Sequence, residues 1–413
     1  MSPPAPADPN TMDRPPSGTG RPPIHTVLPP LILGTATFNT QYVASPLTMP
    51  STAIITQALA LGLHAFDTSP YYGPSELLLG AALSSLSPPP PRSSLFLITK
   101  CGRLTPTQFD YTPPHIRYSI LRSLKRLHTP YLDLVYTHDA EFLSAREVLT
   151  AVRELRRLRD EEHLLRYVGI SGFPPLRLAE LAELVLAETG EPLDAVLSYG
   201  HFTVQNCGLV SGGALERLKG AGVGVVLNAS VLGMGLLTSR GIPADREDGT
   251  SPLAGWHPSP PGLRTVCKGL AGMAEKAGER LEGVAIRWAM EEWAREGAGT
   301  GVDVMVPGEA LPRRVGGTVC GVSSVAELDE TVKEWREVMA GLGPVAPEGA
   351  LERREKVGRL VRDEFWPALG EWKDYAWASP EDGFVNQRKP EEMGTVPDDG
   401  IVSAHELRIQ LNG

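Results

Sequence analysis

Apolar residues along this chain gather into short aliphatic and β-branched runs, each followed by a loop and then by a stretch of helical periodicity. The runs are Leu31–Gly34, His64–Thr68, Leu95–Lys100, Leu132–His138, Arg166–Ser171, Ala195–Tyr199, Val223–Ser230 and Thr318–Ser323. Between them, Ile116, Ile120, Leu121, Leu124 and Leu127 share one helix face, and Val148, Val152, Leu155 and Leu158 share another. Pro174 and Pro175 open a third helix carrying Leu178, Leu181, Leu184 and Val185, since proline is tolerated in a first turn. Strand then helix, eight times over, predicts an α/β fold, a parallel (β/α)8 TIM barrel, in preference to an open sheet. Val302–Val306 is as good a strand as Thr318–Ser323 by composition. Thr318–Ser323 is preferred because a helical pattern, Val325–Trp335, follows it directly, which makes Glu296–Gly317 an insertion. Pro88–Pro91 marks a shorter insertion before the third strand.

The pattern divides the chain into a proline-rich leader over 1–30, a barrel over 31–342 and an appendage over 343–413. The leader has ten prolines and almost no apolar periodicity, so disorder is expected there. The appendage begins with a charged helix, Leu351–Phe365, and carries Trp366, Trp372 and Trp377, which could cover the substrate but are expected rather to dock the appendage on the barrel.

Composition narrows the class. The chain has 413 residues, 39 Lys+Arg against 49 Asp+Glu, and a formal net charge of −10, which opposes a nucleic-acid-binding surface. Cys101, Cys207, Cys267 and Cys320 have no metal-type spacing and suit a reduced cytosolic protein with no metal. No apolar run is long enough to span a bilayer and no secretory signal opens the chain. A cytoplasmic enzyme acting on a small molecule, with no membrane or nucleic-acid partner and as a monomer or weak homodimer, is the expectation. Arg153, Arg156, Arg157 and Arg159 interleave with Glu154 and Asp160 and are expected to form a solvated helix face.

Barrel enzymes place reacting groups at the carboxyl ends of strands. There the chain has Asp67 and, shortly after it, Tyr72; Lys100; His138; and Ser171. A tyrosine is a poor acid or base at neutral pH, but a neighbouring lysine ammonium should stabilise its phenolate and a carboxylate should hold the lysine. Histidine could orient a substrate oxygen. Tyr71 and His201 lie near the same mouth and could line a substrate pocket together with His138.

The stretch Phe66-Asp67-Thr68-Ser69-Pro70-Tyr71-Tyr72-Gly73, followed by Ile98-Thr99-Lys100, Asp133-Leu134-Val135-Tyr136-Thr137-His138 and Val168-Gly169-Ile170-Ser171, resembles the aldo-keto reductases. The resemblance runs from about Leu31 to Trp335. It implies that Tyr72 is the proton donor or acceptor, that Lys100 and Asp67 activate it, and that His138 orients the substrate. It implies a nicotinamide cofactor lying extended across the mouth, with contacts at Gly34, Thr35, Ser171, Ser230, Leu232, Gly235, Gly321, Ser323, Ser324 and Glu330. No GxGxxG opens a helix, which independently disfavours a Rossmann dehydrogenase.

Departures from the wider family point to a branch. Gly172 stands where the family usually has Asn, and Ala229 where many members carry a tyrosine stacked on the nicotinamide. These variants, with His138-Asp139-Ala140-Glu141-Phe142, resemble the D-arabinose 1-dehydrogenase and L-galactose dehydrogenase branch. That resemblance implies NAD-dependent oxidation of an aldose at C1 to the lactone. NADP is the less favoured cofactor, since its 2′-phosphate wants an Arg fork. Ser323 stands where NADP-using members often carry Arg, and Glu327, Asp329 and Glu330 follow; Arg313 and Arg314, in the preceding insertion, are the cations that could swing in. The alternatives are an NADPH-dependent aldehyde or ketone reductase of the same fold, a Schiff-base aldolase using Lys100, and a non-catalytic nicotinamide-binding regulatory subunit.

Overall fold

The computed structural model describes residues 21–245, 249–403 and 406–407. Eight parallel strands close a barrel: β1 (Leu31–Gly34), β2 (Ala65–Asp67), β3 (Phe96–Cys101), β4 (Leu132–Thr137), β5 (Leu165–Gly172), β6 (Ala195–Tyr199), β7 (Val225–Ala229) and β10 (Gly317–Gly321). The strands β8 (Val302–Val304) and β9 (Arg313–Val315) form a separate antiparallel hairpin. Thr318–Ser323 is thus the better choice of eighth strand: Leu31 pairs with Thr318 and Gly317 with Leu227, which closes the ring. The helix Val325–Leu342 follows within a few residues, as a parallel strand requires if the chain is to return along the outside. Val302 and Val315 are fully buried, so the hairpin's apolar residues serve packing rather than the barrel ladder.

The helices form where local chemistry agrees with the apolar stripe. Pro113 and Pro114 start the helix Pro113–Arg126, whose Ile116, Ile120 and Leu124 face inward. Ser144 and Glu147 make a reciprocal capping box at the start of Ala145–Asp160. On that helix the expected solvated arginine face is only half right. Arg156 and Arg159 are buried, bonded to Thr189, the carbonyls of Glu191 and Pro192, and the Glu191 carboxylate. Their guanidiniums satisfy chain ends between neighbouring elements, which a helical wheel does not reveal.

Of the expected disordered leader, residues 1–20 lie outside the described residues. Residues 21–30 are folded: Ile24 and Leu28 enter the core, and Tyr167 donates a hydrogen bond to the Pro22 carbonyl at 2.7 Å. This segment packs at the amino-terminal end of the barrel, where the Asp303 carboxylate of β8 meets Arg314. Proline count concealed two anchoring apolar side chains.

The appendage is helical over Glu348–Arg359, continues through a π-helical turn, Leu360–Phe365, and ends in Trp366–Leu369. Arg287, fully buried, joins it to the barrel: its guanidinium reaches Glu291 at 3.2 Å, Glu337 at 2.9 Å and the Ala350 carbonyl at 3.3 Å. From Gly370 the chain crosses the carboxyl end of the barrel and then runs along the helix Pro113–Arg126. Contacts mark its path at Gln205, at Phe109 and at Tyr118.

Candidate active site

Register determines which side chains meet in the mouth. Asp67 pairs with Ile98, Lys100 with Tyr136, Tyr136 with Gly169, and Ser171 with Leu197. Because strand residues alternate faces, Asp67, Lys100, His138, Ser171 and Tyr199 fall on the inner face, with Gly34, Ala229 and Gly321 completing the circle. One half of the mouth therefore carries large polar groups. The other half carries almost no side chain.

The polar half gathers the four residues expected from the sequence. Lys100 Nζ lies 2.5 Å from Asp67 Oδ1 and 3.0 Å from the Thr68 carbonyl oxygen, with both side chains buried. The same ammonium lies 4.9 Å from the centre of the Tyr72 ring. The Tyr72 and His138 rings meet edge to face at 5.5 Å, and His138 Nδ1 is 3.1 Å from Ser69 Oγ. Burial lowers the His138 pKa to about 3, with Lys100 and Arg103 reinforcing and Asp139 opposing, so the imidazole is neutral. Burial raises Asp67 despite the pull of Lys100.

Tyr72 differs from the sequence expectation of a lysine-acidified phenol. Burial holds it well above the ordinary tyrosine value, Asp67 and Asp139 add to the rise, and Arg103 opposes it. Asp67 and Lys100 are paired, so the carboxylate cancels much of the ammonium's field at the phenol. The protonated form of Tyr72 is favoured.

Around the four lies a shell that sequence reasoning passed over. Arg103 forms an ion pair with Asp139 and stacks over Tyr71 at 4.2 Å. Asp139 also accepts a hydrogen bond from Tyr199 Oη at 3.3 Å, and its Oδ2 is 3.6 Å from His138 Nε2. Phe173 stacks on Trp377 of the appendage at 4.7 Å. Glu141, buried, accepts from the Phe173 N–H at 3.0 Å and from Ser379 Oγ at 2.9 Å. Its Oε2 sits 2.2 Å from where a side chain at position 172 would begin, which is why that position is glycine. Burial, then the nearby Asp139, raises the Glu141 pKa to about 8. Arg103, Asp139 and Phe173 follow strand ends by one or two residues and Tyr199 closes β6, so the rule that found His138 would have found them. Trp377 gave no such signal.

Tyr71 stands in the mouth, its ring 5.6 Å from His138. His201 does not join it. Its ring packs against Phe173 at 4.2 Å, Nδ1 is 3.2 Å from the Tyr199 carbonyl oxygen, and burial lowers its pKa to about 4, so it supports the aromatic wall from behind.

The expected cofactor contacts divide similarly. Gly34, Gly321 and Ala229 leave room on the inner face, and the Ser171 hydroxyl is held only by a 3.4 Å contact to the Thr137 carbonyl. Beyond β7 the backbone turns through left-handed conformations at Ser230, Gly233, Met234 and Gly235, with Leu232 between them. A shallow half-mouth without side chains, bordered by a sharp backbone turn, fits a nicotinamide dinucleotide. Thr35 fits less well: its hydroxyl donates to the Asp67 carbonyl and accepts from Ser75, so it braces β2. At the start of the helix Val325–Leu342, the Glu327 carboxylate takes the Ser323 N–H at 2.7 Å and the Ser323 hydroxyl at 2.9 Å, while Ser324 caps the helix. Glu330 pairs with Arg280 at 2.8 Å. Arg313 and Arg314 are held by Glu309 and Asp303 at the opposite end of the barrel and do not swing in.

A parallel barrel with this constellation at its carboxyl end defines an oxidoreductase of the aldo/keto reductase family, and the chain belongs to that family: the family profile matches residues 30–339. As such it is an NAD(P)-dependent oxidoreductase acting on CH–OH groups. Among its relatives, the D-arabinose 1-dehydrogenase of Saccharomyces cerevisiae is 40% identical over 271 residues, 65% of this chain and 77% of that one. The L-galactose dehydrogenase of Arabidopsis thaliana is 31% identical over 319 residues, covering 76% and 86%. The solved glycerol dehydrogenase of Gluconobacter oxydans shares the fold, with a TM-score of 0.54 at 20% identity over 87% of this chain and 96% of its own. Among the described residues no helix is long and apolar enough to cross a membrane, and no cluster of metal ligands occurs.

Proposed function

We propose that this enzyme oxidises an aldose, D-arabinose or a similar sugar, at C1 to the aldono-lactone with NAD. The observation that carries the reading is the Asp67–Lys100–Tyr72–His138 constellation opening onto a mouth that also holds Arg103, Asp139, Tyr71 and Tyr199. A guanidinium, a carboxylate and flanking aromatic rings are the complement of a small polyhydroxylated ring. The 40% identity to a D-arabinose 1-dehydrogenase supports the same substrate class.

A bound nicotinamide supplies the acceptor for the C1 hydride. Gly34, Ala229, Gly321 and Ser171 leave it space and a hydroxyl partner, and Ser230, Leu232 and Gly235 border it. Neutral His138 holds the C1 oxygen by hydrogen bonding. Tyr72, once deprotonated, accepts the C1 hydroxyl proton at Oη, and the Lys100 ammonium, kept in place by Asp67, faces the resulting charge. NAD is favoured over NADP because Glu327 already occupies the donors at Ser323, so a 2′-phosphate there meets a carboxylate.

The protonated phenol supports a second reading for the reverse direction: Tyr72 as proton donor in carbonyl reduction at neutral pH. The separating experiment compares initial rates with NAD⁺ plus D-arabinose, L-galactose or L-fucose at mildly alkaline pH against NADPH plus an aromatic aldehyde. NADH production from none of the three sugars overturns the aldose reading. Tyr72→Phe is expected to lower turnover at least about a hundredfold while sparing NADH binding measured by fluorescence. Near-normal turnover in that variant removes Tyr72 from the mechanism.

A further inference from the structure

Beside the Tyr71–Tyr72 loop lies a cavity of 430 Å³ that shares Arg103 with the mouth and contains none of Asp67, Tyr72, Lys100 and His138. Three parts of the chain enclose it: the loops after β2 and β3, the helix Pro113–Arg126, and the appendage at 388–397. Arg103, Arg122, Arg126, Arg388 and His115 line it, and among the described residues no Asp or Glu does.

The carboxylates that balance these arginines stand outside the lining. Asp139 holds Arg103, Glu76 approaches Arg126 at 3.5 Å, and Asp110 holds Arg388 at 2.8 Å. Arg388 also donates through Nη2 to the Glu392 and Thr395 carbonyls at 2.8 and 2.9 Å, and Arg103 makes long contacts of 3.5 Å to the Thr105 and Pro106 carbonyls, so the donors left for the cavity are Arg388 Nη1 and those of Arg122 and Arg126. Arg122 has no carboxylate within ion-pair distance among the described residues; its only hydrogen bond there is a long one of 3.4 Å to Tyr118 Oη. The Nε atoms of Arg122 and Arg126 are buried without a hydrogen-bond partner. His115 is 3% exposed, its polar neighbours being the Thr395 backbone and Asp110, whose carboxylate oxygen is 3.9 Å from Nδ1. Unpaired buried donors cost stability, and those of Arg122 and Arg126 on the helix, facing Arg388 on the tail, call for an acceptor between them.

Guanidinium forks arriving from several directions match the multiple acceptor oxygens of a tetrahedral dianion better than a planar carboxylate. The cavity exceeds a lone phosphate ion, and Pro70, Leu104, Val396 and Pro397 form an apolar part of its wall beside Tyr118 and Thr395. We propose that this cavity binds a small organic phosphate monoester, with Arg122, Arg126, Arg388 and His115 holding the phosphate and the apolar wall covering the organic part. Pro70 and Gly73 flank the two tyrosines, and Arg103 stacks on Tyr71, so an occupant touches the catalytic loop. The site is separate from the cofactor half of the mouth and does not depend on which sugar is oxidised.

Isothermal titration of the full chain without cofactor tests this, with glycerol 3-phosphate as the probe and inorganic phosphate and glycerol as comparisons. Glycerol 3-phosphate is expected to bind once per chain, more tightly than inorganic phosphate, with glycerol silent and affinity falling as salt rises. Arg122→Gln is expected to weaken it at least about tenfold while leaving NADH affinity, read by fluorescence, unchanged. Arg122 is partly exposed, and far-ultraviolet circular dichroism verifies that the variant is folded; Lys at 122 should recover part of the affinity. Absence of binding, binding unaffected by Arg122→Gln, or displacement of the probe by NADH each overturns the proposal. Equal affinity for inorganic phosphate overturns the organic part.

Discussion

Burial and the Asp67 and Asp139 carboxylates favour the protonated form of Tyr72, and that gives a direction to the chemistry. Sugar oxidation needs the phenolate, so kcat/KM for the aldose is expected to rise with pH beyond neutrality, while carbonyl reduction should fall over the same range. A flat oxidation profile across that range removes Tyr72 as the base. Glu327 gives the cofactor test. Replacing it with Gln removes the negative charge beside the Ser323 donors and is expected to narrow the preference for NAD⁺ over NADP⁺ by about tenfold, seen as a lower KM for NADP⁺. The buried imidazoles give a stability test. His138 and His201 have pKa values near 3 and 4 in the folded chain against 6.5 when exposed, so their contribution is intact above pH 6.5 and lost as pH falls. At pH 5 each costs up to about 2 kcal/mol, and His201→Gln should flatten the acid limb of the melting temperature against pH. Residues of this kind were legible where a polar side chain ends an apolar run, as Asp67, Lys100 and His138 do. They were hidden where only environment sets the behaviour: nothing in the letters shows that Asp67 and Lys100 pair so closely that the phenol stays neutral.

At the scale of elements, strand and helix order was readable because each strand feeds its own helix. Val302–Val306 shows the limit of that signal. Its composition equals that of β10, and only the helix following Gly317–Gly321 separates a barrel strand from a hairpin strand. The helices also show how far from the site the architecture is fixed. Arg287 bridges three of them through Glu334 and Glu337 on one and the Ala350 carbonyl on another, with its own side chain fully buried. Arg287→Met keeps the volume but removes one partner from the buried Glu291 and from Glu334 and Glu337, which retain Arg295 and Arg353, at a cost of about 1–3 kcal/mol. Urea unfolding should show a lower midpoint with an unchanged slope. A loss below the error of extrapolation means the acidic groups find other partners or water.

The whole molecule is a barrel with its mouth finished by its own appendage. Trp366 Nε1 donates to the Val204 carbonyl at 3.0 Å, Gln205 donates to the Trp372 carbonyl at 2.7 Å, and Trp377 then lies against Phe173. The sequence predicted docking by the three tryptophans, and the first two do that. The third forms part of the wall of the pocket, a placement that depends on a chain path across the mouth and has no local sequence signature. Trp377→Ala is expected to raise the sugar KM about tenfold with little change in kcat, and an unchanged KM places the ring outside the substrate's reach.

That path has a consequence in time. The four reacting groups lie between Asp67 and His138, and all of them leave the ribosome while β5 to β10 are still being made. The ring closes only when β10 meets β1, and the pocket gains its outer wall only when Trp377 and Ser379 arrive. Some of the contacts that complete the site span more than 200 residues of chain, as Phe173 to Trp377 and Glu141 to Ser379 do. Full turnover is therefore expected only of chains that extend through Ser379, and an activity assay is expected to report on the integrity of a segment far from the chemistry.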